Sequence, residues 1–123
     1  MFEISVKAHF SAAHHLEGYP GECAGQHGHN WEVEVFVSGE RLNETGVLMD
    51  FRGLKTLVKS VLQRVDHSDL NASAVLGSEN PSSENIAKFV YRELSAKLDV
   101  DGCRVSRVLV RETPGTRAVY WEP

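Results

Sequence analysis

Three histidines and one cysteine lie close together near the amino terminus. His27 and His29 flank Gly28, while His14 and Cys23 precede them. Residues two apart on an extended strand point to the same face, so His27 and His29 can approach one ion. Three imidazoles without a fourth protein ligand are typical of an open, catalytic zinc site, although iron, nickel or cobalt accept the same ligands. The spacing therefore predicts a metal centre.

The role of Cys23 stays open at this level. A thiol beside a divalent cation loses its proton more readily and can act as a base or nucleophile. Cys23 can instead be a fourth ligand, which would close the site, or an inert buried thiol. A catalytic thiol needs a proton relay, and Asp66-His67 provides one if the carboxylate orients the imidazole or flanks it as a separate acid–base group. The alternative is a helix-end pair in which His67 faces the negative end of the dipole.

Glu112 is the remaining acidic candidate. It follows a Val-rich segment and precedes a Pro-Gly turn. Such a carboxylate can be a solvated strand-end acid. It can also clamp an amidine-like edge, as in a guanidine or an aminopyrimidine, through two parallel hydrogen bonds.

Length and charge predict one globular domain spanning residues 1–123. The chain has 123 residues, 41% of them hydrophobic, as expected for a single soluble domain. No apolar run approaches the ~20 residues that span a bilayer, and no leader precedes the first strand-like pattern, so we expect a cytoplasmic protein without a membrane partner. A net charge of −4 argues against nucleic acid as the main partner. A disulfide is not expected in that compartment.

The elements that carry these residues follow from hydrophobic periodicity. Alternation with period two predicts strands, and spacing of three and four predicts two amphipathic helices capped by Asp50 and Ser82. A Thr-Pro-Gly-Thr segment predicts the turn of a final hairpin. The predicted segments are strands 2–11 and 31–38, two helices with apolar stripes over 54–65 and 86–98, and strands 104–112 and 117–122.

This order, ββααββ, predicts an α+β fold. We expect an antiparallel four-stranded sheet with both helices on one face. The other face would then be uncovered. Trp31, Trp121 and the Val-rich strands indicate that other subunits bury it, so an oligomer is expected.

The ordered motifs resemble those of the 6-pyruvoyl-tetrahydropterin synthase / 6-carboxytetrahydropterin synthase family, over essentially the whole chain. The similarity is greatest to the compact bacterial members that make 6-carboxytetrahydropterin for queuosine and related deazapurines. Mild departures are serines where threonine is common and a serine after the Asp-His pair. The motifs are Ala12-Ala13-His14, Cys23-x-x-x-His27-Gly28-His29, Asp66-His67, Pro81-Ser82-Ser83-Glu84-Asn85 and Arg111-Glu112-Thr113.

The resemblance implies a fold, an assembly and a reaction. The fold would be the tunnelling fold (T-fold), in which sheets from several subunits close into a barrel. The assembly would be a homohexamer of two stacked trimers with active sites between subunits. The substrate would be 7,8-dihydroneopterin triphosphate, converted to 6-carboxy-5,6,7,8-tetrahydropterin, acetaldehyde and triphosphate.

The resemblance also implies the metal ligands and the base. It selects His14 rather than the adjacent His15, so that Zn²⁺ would be held by His14, His27 and His29. Cys23, as a thiolate, would take a proton from the substrate side chain.

The remaining roles are likewise implied by the resemblance. His67, assisted by Asp66, would relay a proton. Glu112 would anchor the pterin through its 2-amino and N3 edge, and Ser82 and Ser83 would line the pterin pocket.

Three other functions remain open. The same scaffold can release triphosphate only, giving 6-pyruvoyl-tetrahydropterin on the biopterin route. A zinc hydrolase or aldolase can act on dihydroneopterin without loss of triphosphate. A non-catalytic module stabilised by zinc would use Cys23 as a fourth ligand and would unfold on chelation.

Overall fold

The computed structural model describes residues 1–18 and 27–123, with the backbone alone for residue 27. This part of the chain forms one sheet covered by two helices. None of its helices is both long enough and apolar enough to cross a membrane. The elements in chain order are β1 (Phe2–His14), β2 (His27–Gly39), α1 (Phe51–Leu62), β3 (Ser68–Asp69), a short 3-10 helix (Ala74–Leu76), α2 (Ser83–Lys97), β4 (Cys103–Arg111) and β5 (Ala118–Tyr120).

The sheet is mixed and five-stranded, in the order β3-β1-β2-β4-β5. The four predicted strands are present and their neighbours pair antiparallel. The prediction of a four-stranded antiparallel sheet nevertheless lacks one strand. The two-residue strand β3 pairs parallel with β1 at Ala12 and Ala13. The chain turns towards this edge at His67, which has a φ of 55°. A two-residue strand has no periodicity, which is why the sequence pattern does not reveal it.

The helices cover the apolar face of the sheet. Trp31 on β2 is 0% exposed and stacks on Phe10 of β1, with ring centroids 5.7 Å apart. The expectation that Trp31 lies on an uncovered face is therefore wrong, because its parity places it under the helices. Trp121 is 62% exposed, in agreement with the expectation that the helices do not cover it.

The opposite face of the sheet carries charged residues together with Phe36 and Leu109. Glu32 lies centrally on that face, with Lys7 Nζ and Arg111 Nε each 3.7 Å from its Oε1. An oligomer that uses this face must therefore contact charged groups as well as apolar side chains.

Both helices begin at the predicted caps. Asp50 Oδ1 accepts a hydrogen bond from Arg52 N at 2.8 Å, and Ser82 Oγ accepts one from Asn85 N at 3.1 Å. Helix α1 begins at Phe51, directly after its predicted cap, and ends at Leu62, three residues before the end of the predicted apolar stripe. Val65 is still buried, at 1% exposure, because the turns that follow α1 keep it against the core.

Candidate metal centre and active site

The ends of β1 and β2 bring the candidate ligands together. The antiparallel register pairs His14 with His27 and Ala12 with His29. The imidazole of His14 is 2% exposed and that of His29 is 23% exposed. Both rings meet the buried Trp31 edge to face, at centroid distances of 4.8 and 5.6 Å. The indole is therefore the apolar wall against which both rings are oriented.

His14 has a fixed orientation. Its Nδ1 lies 2.7 Å from the carbonyl oxygen of Pro81, the residue before the cap of α2. Because a carbonyl only accepts, Nδ1 carries the proton and Nε2 of a neutral ring presents its lone pair to the site. A hydrogen bond of this kind sets the tautomer of metal-bound histidines.

Glu112 completes the described cluster. Its Oε1 lies 3.1 Å from His14 Nε2 and 2.6 Å from His29 Nε2. One donor atom from each of the three residues lies within 4.8 Å of the others. A neutral His14 would direct a lone pair at a carboxylate oxygen, an arrangement favoured only if the ring is protonated or a cation lies between them. Two imidazoles and a carboxylate fit a divalent ion such as zinc.

The other predicted members of the metal centre are only partly described. His27 lies opposite His14 in the register, and the position of its imidazole is outside the described residues. Cys23 lies outside them entirely. The metal set of His14, His27 and His29, with Cys23 beside it, therefore stays a prediction, whereas the described cluster includes Glu112.

The Asp66-His67 pair lies on the outer edge of β1, directly before β3. Asp66 Oδ1 accepts a hydrogen bond from Ser11 N at 2.9 Å and lies 3.0 Å from His67 Nδ1. The His67 side chain is 82% exposed. It lines, with His29 and residues of β1, an open depression of about 410 Å³. His67 thus shares this depression with His29, one member of the candidate metal site.

The backbone N–H of Ser11 holds the pKa of Asp66 below its ordinary value of 3.8, and the nearby His67 lowers the pKa further. The charged carboxylate therefore stabilises the fold above that pH, and this contribution is lost as the pH falls through the lowered pKa. We expect Asp66→Asn, which keeps an acceptor for Ser11, to be less stable than wild type at neutral pH. The difference should narrow in acid. Urea unfolding of the two proteins at neutral and at acid pH, at low salt and fixed protein concentration, measures the difference in stability. A difference that does not change with pH would show that the charge of Asp66 is not its cause.

The predicted pterin-pocket serines begin helix α2. Ser82 caps the helix through its hydroxyl oxygen. Ser83 lines a depression of about 350 Å³ together with Arg117 and Ala118. The sequence does not predict that Pro81, directly before them, is a partner of His14. Its place in the Pro-Ser-Ser-Glu-Asn motif was the available signal.

Comparisons with known proteins identify the family of the chain. A sequence model of the family described as 6-pyruvoyl tetrahydropterin synthase matches residues 3–123. The 6-carboxy-5,6,7,8-tetrahydropterin synthase of Synechocystis sp. is 38% identical over 128 aligned residues, covering 100% of this chain and 95% of that protein. The dihydroneopterin monophosphate aldolase of Pyrococcus furiosus is 36% identical over 98 residues, covering 80% and 79%. The structure of Caenorhabditis elegans 6-pyruvoyl tetrahydropterin synthase matches with a TM-score of 0.88 at 27% identity, covering 99% and 96%. The chain belongs to the 6-pyruvoyl tetrahydropterin synthase family.

Proposed function

We propose that the protein is a zinc-dependent lyase that converts 7,8-dihydroneopterin triphosphate to 6-carboxy-5,6,7,8-tetrahydropterin, acetaldehyde and triphosphate, in the biosynthesis of queuosine and related deazapurines. The observation that carries the proposal is the convergence of His14, His29 and Glu112 within 4.8 Å beside an open depression. Family membership and the Synechocystis relative support the choice of a pterin substrate.

The metal would be held by His14, His27 and His29. A bound Zn²⁺ supplies Lewis acidity, which lowers the pKa of the substrate's side-chain hydroxyls. The chain prepares two of these ligands in advance, because Pro81 fixes the tautomer of His14 and Trp31 orients both His14 and His29.

The protein's own groups would move the protons. Cys23, as a thiolate, removes a proton from the substrate side chain. His67 is accessible enough to exchange protons with substrate or water, and Asp66 lies within 3.0 Å of its Nδ1. A carboxylate at that distance stabilises the imidazolium formed when the ring accepts a proton.

Glu112 would bind the pterin. Once the imidazole nitrogens face a cation, its carboxylate can accept two parallel hydrogen bonds from the 2-amino and N3 edge of the ring. Ser82 and Ser83 would contact the same ring from the start of α2. The ring would thereby be held while its side chain lies against the metal.

We further propose a homohexamer of two trimers whose sheets close into a barrel, with active sites between subunits. Within the described residues, β1 has another strand on its outer side only at Ala12 and Ala13. The edge formed by residues 2–10 therefore presents backbone groups to which a strand of a second subunit can pair.

Removing the metal tests this account. We expect chelation to abolish turnover and Zn²⁺ to restore it, while the size of the assembly and its far-ultraviolet circular dichroism stay unchanged. The reason is that a large apolar core, not the metal, holds the sheet to its helices. Unfolding on chelation would instead favour the non-catalytic zinc module.

An alternative activity is supported by one relative, because the Pyrococcus protein is named as an aldolase acting on dihydroneopterin monophosphate. Parallel assays with dihydroneopterin triphosphate and monophosphate separate the two. The proposal predicts release of inorganic triphosphate from the first and no reaction with the second. Cleavage of the monophosphate alone would assign the aldolase activity.

A further inference from the structure

The outer edge of β1 continues beyond the end of the strand. Ser11 is hydrogen-bonded there by Asp66 and His67, and Ala13 O accepts from Leu70 N at 2.9 Å. Strand β1 ends at His14. Alternate residues after this point are still paired on the same edge, and their partners are side-chain amides rather than a strand.

Two asparagines supply these amides. Asn71 Oδ1 accepts from His15 N at 2.8 Å, and Asn71 Nδ2 donates to His15 O at 3.0 Å. Asn80 forms the same pair of bonds with Glu17, at 3.1 and 2.9 Å. Each primary amide thus imitates a peptide group of a neighbouring strand.

Asn80 is itself anchored to the start of α2. Its carbonyl oxygen accepts hydrogen bonds from Ser82 N at 2.9 Å and from Asn85 Nδ2 at 2.8 Å. Asn80 also directly precedes Pro81, whose carbonyl accepts from the His14 imidazole. The segment of residues 66–82 therefore holds both the backbone around His14 and its ring.

We propose that Asn71 and Asn80 are positioning residues for the metal centre, which fix the backbone next to the ligand His14. The inference rests on the proposed function only in taking His14 as a metal ligand. A residue at the end of a strand keeps its imidazole in place only if the backbone on both sides is fixed. Here Ala13 is fixed by β3, and His15 and Glu17 are fixed by the two amides.

The test compares Asn71→Ala with Asn43→Ala. Asn43 also uses its amide oxygen to accept backbone hydrogen bonds, from Thr45 N and Val47 N. It lies in the loop after Gly39, which pairs with Phe2 at the far end of the sheet from His14. Asn43→Ala therefore removes comparable bonds at a distance from the metal.

We expect Asn71→Ala to raise the Zn²⁺ dissociation constant about 10-fold, the lower end of losses seen when partners of ligands are removed. The d–d absorption of the Co²⁺ form should shift, and kcat should fall with KM unchanged. Asn43→Ala should lower the melting temperature only. Zn²⁺ affinity and Co²⁺ spectrum equal to wild type in Asn71→Ala would overturn the inference.

Two further variants cover the case in which Asn71→Ala does not fold. Asn71→Asp keeps the acceptor for His15 N but turns an oxygen towards His15 O, and Asn80→Ala acts through Glu17. Both variants should raise the Zn²⁺ dissociation constant, as Asn71→Ala does. Wild-type Zn²⁺ affinity in both would reject the inference. Zn²⁺ binding is measured without the pterin substrate. A wild-type protein that binds Zn²⁺ but does not convert the substrate would therefore reject the proposed function, whereas the role of Asn71 and Asn80 would still be decided by the Zn²⁺ affinities.

Discussion

Cys23→Ala is expected to reduce turnover of dihydroneopterin triphosphate about 100-fold to 10,000-fold, the range typical of losing a general base. The bound zinc should stay near one per chain, because in the proposed site three imidazoles would hold it without the thiol. Steady-state rates and metal analysis of the purified protein measure both quantities. Zinc lost together with the thiol would make Cys23 a ligand and would remove its role as the base.

The second cysteine provides the matched control. Cys103 begins β4, and its thiol lies 3.7 Å from the carbonyl oxygen of Leu48. Its strand position pairs with Gly39, at the far end of β2 from His27. Cys103→Ala should therefore keep full activity, and a loss equal to that of Cys23→Ala would show that the effect is not specific to the site.

Glu112→Gln is expected to raise KM for the pterin substrate at least about 100-fold, since two charge-assisted hydrogen bonds contribute roughly 1.5–3 kcal/mol each. The substitution preserves side-chain size but removes the negative charge and turns one acceptor into a donor. Substrate-saturation kinetics measure the effect. Kinetics equal to wild type would remove Glu112 from the binding site.

Metal binding by the same variant separates two roles of this carboxylate. Glu112 lies beside both imidazoles in this structure. If it serves the pterin, Glu112→Gln keeps its zinc, whereas zinc loss would make it a metal ligand. Glu79→Gln is the control, because Glu79 is an exposed carboxylate that pairs with Lys88. It should behave as wild type.

Local patterns predicted most of the fold. Alternation specified the two long strands, and Asp50 and Ser82 specified the helix starts, because capping depends on residues close in sequence. Strand β3 could not be predicted in this way. Its pairing depends on the turn at His67 and on Asp66 reaching Ser11, a contact between residues 55 positions apart.

The residue types of the site could be predicted from the sequence, but most of the contacts that position them could not. His29 and Trp31 are two residues apart on β2 and their rings are in contact, as the alternation of an extended strand requires. The hydrogen bond from His14 to Pro81 spans 67 positions and uses a backbone carbonyl. Every residue has such a carbonyl, so the residue type does not predict this bond. The roles of Asn71 and Asn80 could not be predicted for the same reason. Their partners are backbone groups of His15 and Glu17, so the sequence indicates only that they are loop residues.

The most direct test of the central claim is identification of the products that the zinc-loaded protein forms from 7,8-dihydroneopterin triphosphate, by mass spectrometry. Atom balance separates the two lyase reactions, since the carboxy product and acetaldehyde require one water and the pyruvoyl product requires none. We predict 6-carboxy-5,6,7,8-tetrahydropterin, acetaldehyde and triphosphate in equal amounts. Pyruvoyl-tetrahydropterin as the sole pterin product would assign the biopterin reaction, and an unchanged substrate with zinc-replete protein would contradict the lyase assignment altogether.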